Sequence, residues 1–272
     1  MTEGEFSYHE LFRQRKICVL IPTYNNAGTL ASVVGDVLRY TDQIIVVNDG
    51  STDETAKIIE SLPVTSVRIL KNAGKGYALR KGFAKAVESG YEYAITIDSD
   101  GQHFADDLPA FLDALEHNRR AIIIGARNME QAGVPGKSSF GNRFSNFWFW
   151  VETGYRMSDT QSGYRLYPVG ALDGMLFFTR KYEFEIEVLV RAAWKGIAIT
   201  EVPVKVFYAE KEKRVSHFRP VRDFTRISIL NTFLVLAAFF YIKPRDFIRS
   251  LKKKSSGKSS TTIYSTLTNP TR

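Results

Sequence analysis

Ile95-Thr96-Ile97-Asp98-Ser99-Asp100-Gly101-Gln102 is a β-branched apolar run that stops at two carboxylates one residue apart. Apolar runs of this length, bounded by polar residues, read as strands buried in a parallel sheet. Polar residues at the carboxyl end of such a strand lie where open α/β sheets take their ligands. If the chain stays extended, Asp98 and Asp100 share a face. Two like charges so placed need a cation between them or a shared proton. Hard oxygen ligands select Mg²⁺ or Mn²⁺, and Mg²⁺ commonly bridges to phosphate oxygens. The stretch alone also fits an Asp-rich turn before a helix, so the decision rests on its neighbours.

The same pattern recurs on both sides of it. Ile17 to Ile21, Gln43 to Val47, Val64 to Leu70 and Ala121 to Ile124 are further strand-like runs. Between them Thr29 to Leu38 has helical spacing, Thr52-Asp53-Glu54-Thr55 opens a helix with acids in its first turn, and another helix runs from Asn72-Ala73-Gly74-Lys75-Gly76 to about Val87. Asp106 and Asp107 read as caps of the helix that follows. Alternation with short connections predicts right-handed crossovers and a mainly parallel central sheet flanked by helices. The polar clusters after the first four strands then fall on one sheet edge, so that Asp49, Lys75, Asp98 and Asp100 converge on one crevice. Neither a Gly-x-Gly-x-x-Gly turn nor a Walker loop is present, which argues against dinucleotide and ATP sites.

Composition narrows the classes. The chain has 272 residues, 44% hydrophobic and 24% charged, as in a globular protein. One cysteine, Cys18, inside an apolar run, excludes an intramolecular disulfide and fits a reducing compartment. The polar N-terminus carries no apolar leader-like stretch. The net charge of +8 is concentrated at one end: residues 243–272 hold eight Lys and Arg against Asp246, leaving +1 for residues 1–242. That distribution argues against a nucleic-acid-binding face and for a solvated tail or a contact with anionic lipid.

In order and spacing, Ile21-Pro22-Thr23-Tyr24-Asn25-Asn26, Asn48-Asp49-Gly50-Ser51-Thr52-Asp53-Glu54-Thr55, Asn72-Ala73-Gly74-Lys75-Gly76 and Asp98-Ser99-Asp100-Gly101-Gln102-His103 resemble family 2 glycosyltransferases, inverting nucleotide-sugar transferases of the GT-A fold. Asp159-Thr160-Gln161-Ser162-Gly163-Tyr164-Arg165, Tyr182 to Glu187, Glu201 to Val204 and Arg214 to Phe218 resemble the branch of dolichyl-phosphate mannose and glucose synthases. The resemblance spans roughly residues 16–230. It implies a UDP- or GDP-linked sugar donor bound through Pro22, Tyr24, Asn25, Asp49, Lys75, Asp98, Glu185, Arg214 and Ser216. It also implies a divalent metal on Asp98, Asp100 and Gln102, and a polyprenyl-phosphate acceptor held by Arg127 and Arg143. Asp49 is alternatively a cap for the next helix, and Lys75 a solvated lysine. His103 reads as a loop residue rather than a metal ligand.

Two acceptor classes divide the chemistry. A hydroxyl needs a carboxylate base, for which Asp159 is the candidate. A lipid phosphate is already ionised near neutrality and needs cations instead; Asp159 then orients the donor sugar or the acceptor loop. On a helix, only one of Glu185 and Glu187 faces the crevice, and Glu185 is preferred. A non-catalytic nucleotide-sugar-binding membrane protein is the remaining alternative.

The expected organisation is an N-terminal extension (1–15), a GT-A domain (16–226), an apolar helix (227–243) and a basic, Ser- and Thr-rich tail (244–272). Phe233 to Ile242 is an uninterrupted apolar run, closed by Pro244 and short of the roughly 20 residues of a spanning helix. It reads as a helix lying in the bilayer interface, pinned by the tail to the cytoplasmic membrane face, or as a core helix. Phe144 to Trp150 is a second aromatic stretch open to both readings.

Overall fold

A computed structural model describes residues 7–128, 136–207, 220–245 and 248. Its centre is a seven-stranded sheet of order β3-β2-β1-β4-β6-β5-β7. The strands are β1 (Ile17–Thr23), β2 (Ile44–Asp49), β3 (Thr65–Ile69), β4 (Tyr93–Thr96), β5 (Ile122–Arg127), β6 (Arg165–Pro168) and β7 (Ile199–Val204). β1 pairs in parallel with β2 and β4, β2 with β3, and β5 with β7, as right-handed crossovers require. β1 and β2 are buried along their whole length. Alternate residues point to opposite faces: Cys18 and Leu20 join one apolar cluster, Ile17, Val19 and Ile21 the other.

One strand departs from the all-parallel expectation. β6 lies between β4 and β5 and runs antiparallel to both. Its amino end, at Arg165, therefore pairs with Thr96 at the end of β4 and with Ile124 in the middle of β5. The segment Asp159 to Tyr164 that leads into β6 is thus delivered to the same sheet edge as the ends of the parallel strands.

The helices cover both faces. α1 (Tyr8–Gln14), α2 (Leu30–Leu38), α3 (Thr55–Glu60) and α5 (Leu108–His117) pack on one side. On the other lie α4 (Lys75–Glu88), α7 (Val169–Leu172), α8 (Phe184–Trp194) and parts of α6 (Gly136–Thr153) and α9 (Pro220–Ala237). Two helix starts differ from expectation. α3 begins at Thr55, so Asp53 precedes it and accepts the Thr55 amide at 3.0 Å. Asp106 and Asp107 do not cap α5: Asp106 receives Arg39 and Tyr40, and Asp107 the Lys205 amide.

The C-terminal helix is longer than its apolar run. α9 starts at Pro220, a residue suited to a first helical position. Helical structure continues through a π turn, Ala238–Ile242, to Arg245. Pro244 does not stop it at the expected point; just before it, the Lys243 amide donates to the Ala238 carbonyl in π register. The run Arg222–Arg245, 24 residues, is long and apolar enough to cross a bilayer. Ile227, Leu234, Ala238 and Ile242 are buried, while Ile229, Phe233, Leu236, Phe239 and Phe240 are exposed. The aromatic stretch of α6 divides in the same way, with Phe149 buried and Phe147 and Trp150 exposed.

Candidate active site

The carboxyl ends of β1, β2 and β4 open into a crevice of about 680 Å³. Asp49, Lys75, Asp98 and Asp100 all line it, together with Pro22, Tyr24 and Gln102. Convergence on one edge, read from the strand order, is what the fold produces. The means differ at the carboxylates. β4 ends at Thr96 and the chain turns at Ser99 and Asp100, so a turn, not extended backbone, brings the pair together.

Lys75, the first residue of α4, is not a solvated lysine but a paired ammonium in the crevice wall. Its ammonium lies 2.7 Å from Asp98 and 3.1 Å from Glu185. Burial opposes its charge, but the two carboxylates outweigh that and hold its pKa above the ordinary range. For Asp98, burial likewise opposes ionisation and Lys75 overcomes it, leaving the carboxyl below its usual range. Among the described residues, Asp100 has no such cation beside it. Burial, then the charge of Asp98, pushes it up to about 6. Its Oδ1 accepts the Gln102 amide at 3.0 Å. Burial also lowers His103 to about 4, so that its ring is neutral where it packs against Tyr164.

Asp49 is a structural clamp as well as a wall of the crevice. Its two oxygens accept the amides of Ala73 and Gly74 at 2.9 and 2.8 Å. These bonds fix the turn into α4, where Gly74 has φ +103°, a conformation other residues rarely adopt. Burial nevertheless holds the Asp49 carboxyl above its ordinary range. It does not cap α3, whose first amide, that of Thr55, goes to Asp53. Asn25 is not in the crevice lining. Its φ of 51° turns its side chain to the Thr52 amide, 2.8 Å away, tying the first loop to the second. Asn26 takes its place in the wall and donates to Ser99 Oγ at 2.6 Å.

On α8, Glu185 faces Lys75, whereas Glu187 turns away to accept the Phe178 and Thr179 amides and Arg191. The loop before β6 is fixed from several sides. Thr96 Oγ1 donates to the Gly163 carbonyl at 2.7 Å. The buried Arg165 guanidinium donates to the carbonyls of Thr160, Ser162 and Glu185. Asp159 is fully buried, and accepts Arg127 Nε and Nη2 at 2.6 and 2.9 Å as well as the amides of Arg127 and Gln161. A carboxylate with four donors has no lone pair set aside to take a proton from a hydroxyl, and Asp159 engages Arg127 through Nε and Nη2, two of the five donors of its guanidinium. Arg143 is exposed on α6, and neither it nor Arg127 lines the crevice. Arg214 and Ser216 lie outside the described residues, as does the basic tail beyond 248.

Residues that sequence reasoning missed complete the wall. Lys181 and Tyr182 come from the segment before α8; Arg222, Asp223 and Arg226 come from the first turns of α9. Pro220 was the available signal, because a helix opening there puts these three polar residues one and two turns inside it.

Among the described residues, no group of three or more His, Cys, Asp or Glu side chains is placed to hold a metal ion. Asp98, Asp100 and Gln102 are hard oxygen donors that fit Mg²⁺ or Mn²⁺, with water and phosphate oxygens completing the shell. Burial and then the charge of Asp98 disfavour the ionised Asp100, and a divalent cation on the pair would offset both.

The family described as "Glycosyl transferase family 2" matches residues 18–179. The UDP-N-acetylglucosamine–dolichyl-phosphate N-acetylglucosaminyltransferase of Methanococcus voltae is 30% identical over 217 residues, covering 71% of this chain and 86% of its own. The polyprenol monophosphomannose synthase of Mycolicibacterium smegmatis is 29% identical over 216 residues, covering 74% and 80%. Among solved structures, glucosyl-3-phosphoglycerate synthase from Mycobacterium tuberculosis, in complex with Mn²⁺, uridine diphosphate and phosphoglyceric acid, superposes with a TM-score of 0.64 at 20% identity, covering 88% of this chain and 84% of that one.

Proposed function

The chain belongs to glycosyl transferase family 2, and on that premise we propose that it moves one sugar from a nucleotide-sugar to a polyprenyl phosphate at the cytoplasmic face of a membrane. The observation that carries this reading is the paired Asp98 and Asp100 in the floor of a polar crevice whose rim is the amphipathic helix α9. The relatives named for dolichyl- and polyprenyl-phosphate transfer support the acceptor class. The Mn²⁺ and uridine diphosphate of the mycobacterial synthase support the donor class.

In this reading the nucleoside lies along Pro22, Tyr24 and Asp49, and the diphosphate reaches Asp98, Asp100 and Gln102. A divalent cation held by those three would supply positive charge to the departing diphosphate. A phosphate oxygen of the acceptor forms the new bond to C1 while the C1–O bond to the nucleoside diphosphate breaks, inverting the anomeric centre. No base is required, because the acceptor is already ionised. The buried, four-fold bonded Asp159 supports this class over a hydroxyl acceptor.

The test is a partition assay with purified protein, Mg²⁺ or Mn²⁺, a polyprenyl phosphate and labelled nucleotide-sugars in turn. Label entering the organic phase, and lost in Asp100→Ala, is the expected result. Label remaining aqueous with every donor, while nucleotide still binds, overturns it.

A further inference from the structure

The ammonium of Lys75 meets Asp98 at more than one point. It lies 2.7 Å from Oδ1 and 2.9 Å from Oδ2, astride both oxygens of a carboxylate expected to hold the metal. A second carboxylate, Glu185, presents Oε1 3.1 Å from the same nitrogen. Gly163 leaves this cluster no slack, since a Cβ built on it falls 2.8 Å from Nζ. Lys75 and Asp98 line the crevice, whereas Glu185 stands outside the lining and is 8% exposed. Its main-chain carbonyl is held by the buried Arg165 at 2.7 Å. Glu185 thus meets the crevice through Lys75.

Two carboxylates on one ammonium exceed what neutralising Asp98 requires. A carboxylate offers two oxygens and about four lone-pair directions. An ammonium across both oxygens and a divalent cation on the same group draw on one charge and repel each other at contact distance. With Asp98 as its sole partner, a buried ammonium displaced by a metal loses its counter-charge, which is heavily penalised. Glu185 removes that penalty, because it already stands within reach and keeps the ammonium paired when Asp98 turns to the metal. Resting on the metal-dependent reading above, we propose that Lys75 competes with the divalent cation for Asp98, and that Glu185 is the positioning residue that retains the ammonium when the cation binds. The consequence is coupled loading. The lysine weakens the hold of the protein alone on a bare cation, and a nucleoside diphosphate restores the negative charge that the lysine cancels.

Contact and charge are separable by experiment. Lys75→Met combined with Glu185→Gln removes one charge of each sign, so the formal charge of the site stays that of the wild type. Neutral side chains of similar volume often replace a buried ion pair without loss of stability. Mn²⁺ alone is titrated into the purified full chain, with the unbound hydrated ion read by its EPR signal and folding checked by the urea midpoint. The double variant is expected to bind Mn²⁺ on the order of tenfold more tightly than the wild type. Glu185→Gln alone, which leaves the ammonium to Asp98, is expected to bind it on the order of tenfold more weakly. A lysine that merely builds the site gives the opposite sign for the double variant. Equal or weaker binding by the folded double variant overturns the proposal. If the double variant does not fold, Glu185→Gln decides, and unchanged or tighter binding there overturns it. Asp100→Ala separates the proposal from its premise, and is expected to abolish the binding. Mn²⁺ held equally well by Asp100→Ala, or by none of the chains, sinks the metal reading itself. Mn²⁺ lost in Asp100→Ala but held alike by wild type and double variant sinks the role of Lys75 alone.

Discussion

Gly163→Ala adds one methyl group at the most crowded charged point of the molecule. A Cβ built there meets Lys75 Nζ at 2.8 Å, Asp98 Oδ2 at 2.9 Å and Glu185 Oε1 at 3.0 Å. Ordinary contact begins near ~3.5 Å, so each of the three atoms has to retreat by about 0.6 Å. None is a loose side-chain end, because the Lys75 ammonium binds both carboxylates. Stretching the Lys75–Asp98 pair from 2.7 Å by that amount weakens its attraction by about 1 kcal/mol at an effective dielectric near 20. Overpacking of a filled site adds a cost of roughly 1–3 kcal/mol. The expected loss of stability is therefore about 2–3 kcal/mol, read as a lower midpoint in urea at unchanged slope. The same displacement moves Asp98 in the crevice, and misplacements of this size cost on the order of 10²-fold in turnover. Gly170→Ala, in α7 with open space around its Cβ, serves as the neutral control. If Gly163→Ala keeps the wild-type midpoint and turns over within about twofold of wild type, well short of the loss expected from displacing the centre, then Lys75, Asp98 and Glu185 are not locked together as described.

Glu152 on α6 is buried with neither oxygen bonded, and burial raises its pKa from 4.5 to about 8. A carboxyl that holds its proton in the fold but loses it when unfolded stabilises least at high pH, so this contribution is lost as pH rises from about 4.5 to 8. Glu152→Gln should therefore stabilise by on the order of 3 kcal/mol at pH 7 and by little at pH 4.5, compared by thermal or urea unfolding at the two pH values; equal effects at both would refute the assignment. Asp159→Asn leaves Arg127 half buried without its counter-charge, and should cost about 3 kcal/mol of stability, with Arg127→Gln costing a similar amount. Their double substitution should cost clearly less than the sum, the signature of one shared interaction; strict additivity would show that the pair is not coupled.

The legible parts of the molecule were those written in short-range pattern. β1, β2 and β4 are apolar runs buried on both faces, so composition alone marks them, and strand–helix alternation then orders their ends on one edge. β6 was not legible as a strand, because four residues with Arg165 at their head carry neither length nor alternation. Its antiparallel insertion depends on contacts with β4 and β5 that lie about 70 and 40 residues back. The fate of Lys75 was illegible for the same kind of reason. Its partners come from β4's end and from α8, and no local signal distinguishes a lysine with two distant carboxylates from one in solvent. Arg127 carried a related lesson: the residue type suits phosphate, and no local signal shows that Asp159, 32 residues on, takes two of its donors.

The two aspartates of the Asp-x-Asp motif are chemically unequal in this fold. Asp98 is neutralised from behind by Lys75, which Glu185 in turn fixes, while Asp100 faces the crevice with its charge raised in energy by its neighbour. Had both been paired with cations, the crevice would have little electrostatic demand for a metal. Had neither been, two buried carboxylates would destabilise the fold before any ligand arrived. With one lysine shared between Asp98 and Glu185, the fold pays for the buried pair and leaves a negative focus at Asp100. That position is where the proposed divalent cation and diphosphate would meet.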